Sequence, residues 1–356
     1  MNPRYFSSLG ALAIMVAALS LMAQPVAGQA PAAAAKPKSA APNWAPARTA
    51  WGEPDIQGIW TMQTITPLQR PAALAGKEFL SEQEAAALER ERVERALAGE
   101  ARPQPGNPGT YNRWWSDNPT KVVPSRRTSL ITDPADGKIP ALTPEGSKRA
   151  AERQLATTGR TVEEAVANAP YDKFDNWLAL DSGERCITDG LPYVPGPYNN
   201  NYLILQTPGY VTIVFEMFHD VRVIPVDGRP HLAQPIRQWL GDSVGHWEGN
   251  TLVVDTTNFR YILGRLGRDD FQGLSGDTFH LVERFTRTAA GTIEYQFTMD
   301  DPTTFSRPWT AVVPMDKTED EMFEYACHEG NYSIANVLKG ARAREQAAAD
   351  AKKEAR

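Results

Sequence analysis

The chain has 356 residues, with 37 Lys and Arg against 43 Asp and Glu, for a formal net charge of −6. A mildly acidic chain with no long basic run is poorly suited to nucleic acid, whose phosphates require clustered Lys and Arg. Beyond the N-terminus no stretch approaches the roughly 20 apolar residues of a spanning helix, so insertion of the mature chain into a membrane is not expected either.

The first 28 residues have the layout of a secretory signal peptide. Arg4 supplies the positive charge, Leu9 to Met22 is apolar, and Val26 and Gly28 suit a cleavage site. A mature chain starting near Gln29 follows, in the periplasm or secreted, and no cysteine is placed for a lipid anchor. Residues 29–48 are Ala, Pro and Lys, a composition that cannot offset its ordering entropy and reads as a disordered linker. Residues 49–345 read as a single β-rich domain with helical insertions over about 81–98 and 143–168. Residues 346–356 read as a polar helical tail.

Within that domain, Ile56 to Thr61 reads as an entry strand. Ser81 with Glu84 forms a capping box for a helix over Glu82 to Leu97. Ser129 to Thr132 reads as a short strand, and helices are expected from Thr143-Pro144 and from Thr161, each with a Thr cap. After Asn199 the pattern becomes strand, turn, strand. Tyr202–Thr207 and Tyr210–Phe218 flank Pro208-Gly209, and Val221–Val226 continues the run. His246-Trp247 and Thr251–Thr257 flank a tight turn. Phe279–Arg287, Thr292–Met299, Trp309–Met315 and Met322–Cys327 supply further strands before a polar helix from about Tyr332 to Lys353. Successive antiparallel strands without crossover helices imply a mainly β fold. It is an up-and-down barrel or a sandwich, with an N-terminal helical elaboration and a C-terminal helix.

Cys186 and Cys327 are the two cysteines. In an oxidising compartment such a pair predicts a disulfide, the alternative being a Cys327 thiol nucleophile beside His328. A bridge would bring Glu184-Arg185 beside His328-Glu329, uniting a cation, an imidazole and carboxylates from distant sequence.

No GxSxG, HExxH, Walker or GxGxxG signature is present, which disfavours the common hydrolase, zinc-peptidase and nucleotide readings. The densest polar group is Glu216, His219, Asp220 and Arg222, inside an otherwise apolar segment. On a regular strand Glu216, Asp220 and Arg222 share a face and His219 takes the other. Glu216 is then either a carboxyl with a raised pKa or half of an ion pair with Arg222. His231, Asp242 and His246 follow, and their spacing matches no metal-ligand frame, so no metal and no other cofactor is expected. The candidate catalytic residues are therefore His219, Glu216, Arg222, His231, Asp242, His328 and Glu329. Trp114 and Trp115 on a polar loop, Tyr198 and Asn200 in an aromatic–amide run, and Arg185 are the candidate ligand contacts.

The strings Ile65–Pro71, Pro124–Ser129, Tyr198–Tyr202, Gly245–Asp255 and Tyr325–Asn331 resemble those of a broad family of exported bacterial proteins of similar length. That resemblance would cover about Trp51 to Arg344 and implies no activity or catalytic residue. The hairpin Trp247–Val254 is also similar to those of lipocalin-like barrels, which favours barrel over sandwich. The expectation is an exported enzyme acting by acid–base chemistry, of lyase, isomerase or hydrolase type, on a small organic or carbohydrate-derived ligand in a barrel cavity. The alternative is a non-catalytic ligand-binding or envelope-interaction protein.

Overall fold

The computed structural model describes residues 44–98, 116–158, 182–260, 274–329 and 331–354. The expected signal segment, most of the expected Ala/Pro linker, Trp114, Trp115 and the helix expected from Thr161 lie outside them.

Alternation of large apolar and small or polar side chains builds the strands. Strand β9 (Thr292–Asp300) turns Ile293, Tyr295, Phe297 and Met299 inward, and β10 (Trp309–Thr318) does the same with Trp309, Ala311, Val313 and Met315. The other strands are β1 (Gly58–Thr61), β2 (Ile131–Asp133), β3 (Asn201–Thr207), β4 (Tyr210–Phe215), β5 (Val221–Pro225), β6 (Asp242–Glu248), β7 (Thr251–Thr257) and β8 (His280–Ala289). All pairings between these strands are antiparallel. The order is β5-β4-β3-β1-β10-β9-β8-β7-β6, with β2 also on β10. Two meanders, β3 to β5 and β6 to β10, thus meet across β1.

The hydrogen-bonded ladder is not closed into a barrel. The sheet nonetheless rolls until its ends touch. A Cβ at Gly245 of β6 would meet the methyl carbons of Val226 and Ile224 at 3.0 and 3.1 Å, so glycine is what lets these strands approach. One core takes side chains from both ends of the path, including Ile224 of β5 and Leu252 and Val254 of β7. Trp60, Trp309, Tyr295, Phe285 and Phe297 fill it. The clefts described below therefore lie outside the centre of the roll, because large rings occupy the inward positions where a central cavity would be.

Among the described residues three α-helices accompany the sheet: α1 (Glu82–Ala98), α2 (Pro144–Thr158) and α3 (Tyr332–Glu354). The capping box forms as the sequence implies: Glu84 N donates to Ser81 Oγ at 3.2 Å and Ser81 N to Glu84 Oε2 at 2.8 Å. Hydrogen bonds from Lys77 first, and then from Ser81, hold the Glu84 carboxyl down at about 2. Thr143 caps α2 in the same way, accepting from Gly146 N at 3.0 Å. Among the described residues no helix is long and apolar enough to cross a membrane.

Met322–Cys327 is not a strand. Its backbone is held by a side chain and a disulfide, and those ties compete with any ladder.

Candidate functional site

The Cys186–Cys327 disulfide is present, with Cα atoms 5.7 Å apart. It fastens the C-terminal segment beside residues 183–202, and this junction creates the candidate site. A cleft of about 520 Å³ opens there. Its walls include Tyr193, Tyr198, Met217, Phe218 and Tyr325. Tyr193 stacks on Phe215 at 4.5 Å and meets Tyr202 edge-on at 6.3 Å. Tyr325 meets Phe218 at 4.9 Å and lies parallel to Tyr198 at 6.2 Å. Rings offset or edge-on at these separations attract beyond their buried area.

Local backbone explains why Phe218 reaches the cleft. Strand β4 ends at Phe215, and a 3-10 turn over Met217–His219 interrupts the hairpin, with Phe218 and His219 at φ 57° and 43°. Residues with a Cβ rarely occupy this left-handed region, and such strain gathers at functional positions. The turn overrides strand parity. Phe218 is buried against the cleft while His219 is exposed to solvent.

The buried groups behind the cleft are paired. Asp220 accepts from Thr188 Oγ1 at 2.5 Å and from Tyr193 OH at 2.6 Å, and burial raises its pKa. Burial first, then Asp220, pushes the Tyr193 hydroxyl well up. Asn200 accepts from Gly196 N at 2.7 Å and donates to Asp117 Oδ2 at 2.6 Å. Its amide thus shapes the loop that carries Tyr198.

The expected acid–base residues do not converge. Glu216 does not pair with Arg222. Its carboxyl accepts from Phe323 N at 2.9 Å, holding residues 319–326 against the sheet, and burial raises its pKa. Glu216→Ala is therefore expected to leave that amide unpaired, lowering stability by about 1–3 kcal/mol in a urea titration. Arg222 points into the roll. It reaches Glu283 at 2.6 Å, Ser243 Oγ at 2.9 Å and Thr256 Oγ1 at 3.0 Å, and Glu283 also accepts from Tyr295 OH at 2.8 Å. Strand parity accounts for the partner, since Arg222 on β5 and Glu283 on β8 both fall at inward positions.

His231 and Asp242 do meet, on the outer face of the sheet. His231 Nδ1 lies 2.9 Å from Asp242 Oδ2 and its Nε2 lies 3.0 Å from Asp255 Oδ1. His280 Nε2 stands 2.8 Å from Asp255 Oδ2. Burial opposes ionisation of Asp255, but the hydrogen bonds and charges of His280 and His231 outweigh it and hold its pKa down. The Asp255 hydrogen bond raises that of His280. His246 is exposed and lies 3.2 Å from Glu248. Among the described residues no group of three or more His, Cys, Asp or Glu is placed to hold a metal ion.

His328 and Glu329 are exposed beyond the disulfide, and they and the half-buried Arg185 lie outside the cleft walls. Glu184 does line the cleft, and its carbonyl accepts from Asn331 Nδ2 at 3.1 Å. Of the ligand contacts proposed from sequence, Tyr198 and Asn200 stand at the cleft. Tyr193, Phe218 and Tyr325 were not singled out as such. Phe218 depends on a backbone reversal, and Tyr325 arrives through the disulfide.

No family model, curated protein or solved structure matches this chain.

Proposed function

We propose that this chain is an extracytoplasmic binding protein that holds a small, flat organic ring in the cleft formed by Tyr193, Tyr198, Phe218 and Tyr325. The observation that carries this reading is the convergence of four aromatic side chains from three separate segments on one concave space. The separation of buried Glu216, exposed His219 and His328, and half-buried His231 favours binding over turnover. The disulfide favours an oxidising compartment, in line with the export expected from the sequence. The contact of Gly245 with Ile224 and Val226 supports a barrel-like body sealed by side chains at one seam.

Calorimetric titration with indole, catechol and 2-naphthol tests the proposal. At least one ring is expected to bind, and combined Tyr198→Ala and Tyr325→Ala to weaken it about tenfold or more, from two lost ring contacts of about 0.5–1.5 kcal/mol each. Unchanged affinity in a folded double variant, or no binding by any ring, would reject it.

A second reading, acid–base catalysis, is favoured by the Asp242–His231–Asp255–His280 chain, which can share and move protons. A substrate that turns over in wild type and fails with His280→Gln would support it.

A further inference from the structure

A second cleft, of about 680 Å³, runs beside α1. Its lining extends from Leu80, which precedes the helix, to Arg95 near its end, on the order of 20 Å at about 1.5 Å per residue. Leu68, Leu74, Leu88, Val122 and Leu130 give it aliphatic walls, and among the described residues no aromatic ring lines it. It shares the segment Val194 to Pro197 with the ring cleft, whose charged lining is acidic, Glu184 and Asp189.

The charge of the second cleft is basic and lies at its two ends. Leu88, Glu91, Arg92 and Arg95 stand at i, i+3, i+4 and i+7, so one face of α1 turns to the cleft. Leu88 is 39% exposed, so the core does not seal that face. Arg92 Nε donates to Pro119 O at 3.2 Å, which fixes the side chain, and among the described residues its charge has no ion-pair partner. Arg95 meets Glu91 at 2.5 Å, but the two side chains are 66% and 60% exposed, and such surface pairs hold weakly. At the opposite end Leu80 N donates to Arg126 O at 2.8 Å and so places Arg127. That guanidinium is already engaged, by Glu78 at 2.8 Å and by the Phe79 ring at 5.2 Å. The positive charge open to a ligand is therefore that of Arg92 and Arg95.

We propose that this cleft binds a linear alkyl carboxylate, with its chain along the leucine walls and its carboxylate on Arg92 and Arg95. A long aliphatic channel suits flexible methylenes, and each one buried strengthens binding by about fourfold. A carboxylate leaves water readily only for charge-assisted hydrogen bonds, and two guanidiniums one helical turn apart each present a planar fork of donors. An uncharged head forfeits those bonds, and a cationic head is repelled by both groups. The asymmetry also fixes direction: the head lies toward Arg95 and the chain toward Leu80.

Calorimetric titration of the full chain with decanoate, below its micelle concentration, tests the proposal. Decanoate is expected to bind about tenfold or more tightly than decan-1-ol, and decyltrimethylammonium no better than the alcohol. Hexanoate, four methylenes shorter, should bind at least about tenfold more weakly than decanoate. Arg95→Gln, at an exposed helix position where the fold tolerates change, should weaken decanoate about fivefold or more and leave the alcohol unaffected. Leu88→Glu, also exposed, should weaken both ligands by putting a carboxylate on the chain's path. Decanoate bound no tighter than the alcohol, or not bound at all, would overturn the assignment, as would unchanged decanoate affinity in either folded variant. Capture of the protein by phosphatidylglycerol vesicles that decanoate does not displace would overturn it too, because the anion would then belong to a lipid surface.

Discussion

Glu283→Gln is expected to cost about 3–5 kcal/mol of unfolding free energy in a denaturant titration, because it strands the Arg222 charge inside the roll. The side chains of Arg222 and Glu283 are only 3% and 2% exposed, and Nε and Nη1 of Arg222 have no partner. The attraction of a buried pair is largely cancelled by the cost of taking both ions out of water. Removing one partner keeps that cost and forfeits the attraction. Arg222→Met together with Glu283→Met should for the same reason recover most of the loss, although Tyr295 OH and Ser243 Oγ each forfeit a partner. A single variant within about 1 kcal/mol of wild type would show that water reaches the pair and screens it.

Cys186→Ser with Cys327→Ser is expected to cost about 2–5 kcal/mol, since the bridge closes a long loop and constrains the unfolded chain. The structural effect is the more informative one. Residues 319–329 have no ladder pairing, and the disulfide and the Glu216–Phe323 bond help fix them. Without the bridge Tyr325 is no longer held against Phe218 and Tyr198. Ring affinity should fall together with stability. Calorimetry on the oxidised wild type and the double serine variant checks this, and equal affinity in both would remove Tyr325 from the site.

The sheet was legible in the sequence because its signal is local. Ile293, Tyr295, Phe297 and Met299 alternate with polar neighbours, and the turn residues Pro208-Gly209 and Gly249-Asn250 mark where strands reverse. The capping box at Ser81 and Glu84 and the cysteine pair were likewise written in residue types and spacing. The site was not. Strand parity placed Glu216 and Arg222 together, but the left-handed Phe218 and His219 break the strand, and such a reversal has no dependable mark in non-glycine residues. The partners Glu283 and Asp255 lie on distant strands, and only the register brings them to Arg222 and His231. Glu283 left one trace, a carboxylate at an inward position between Leu281 and Phe285.

The position of β1 bears on how the chain acquires its shape. Ile59 pairs with Leu203 on one side and with Thr318 on the other, so the central seam of the sheet joins the two ends of the described domain. Each meander assembles from neighbours in sequence, whereas the second side of β1 must wait for a strand emerging near the C-terminus. Contacts of such long sequence separation slow folding, because loop closure comes before any gain from pairing. A chain delivered N-terminus first would therefore hold the β3 to β5 array and an incomplete β6 to β9 array, with the edges of β1 and β9 unpaired until β10 arrives. Over that interval those edges are templates for other chains, and the time between them and completion sets the molecule's exposure to aggregation.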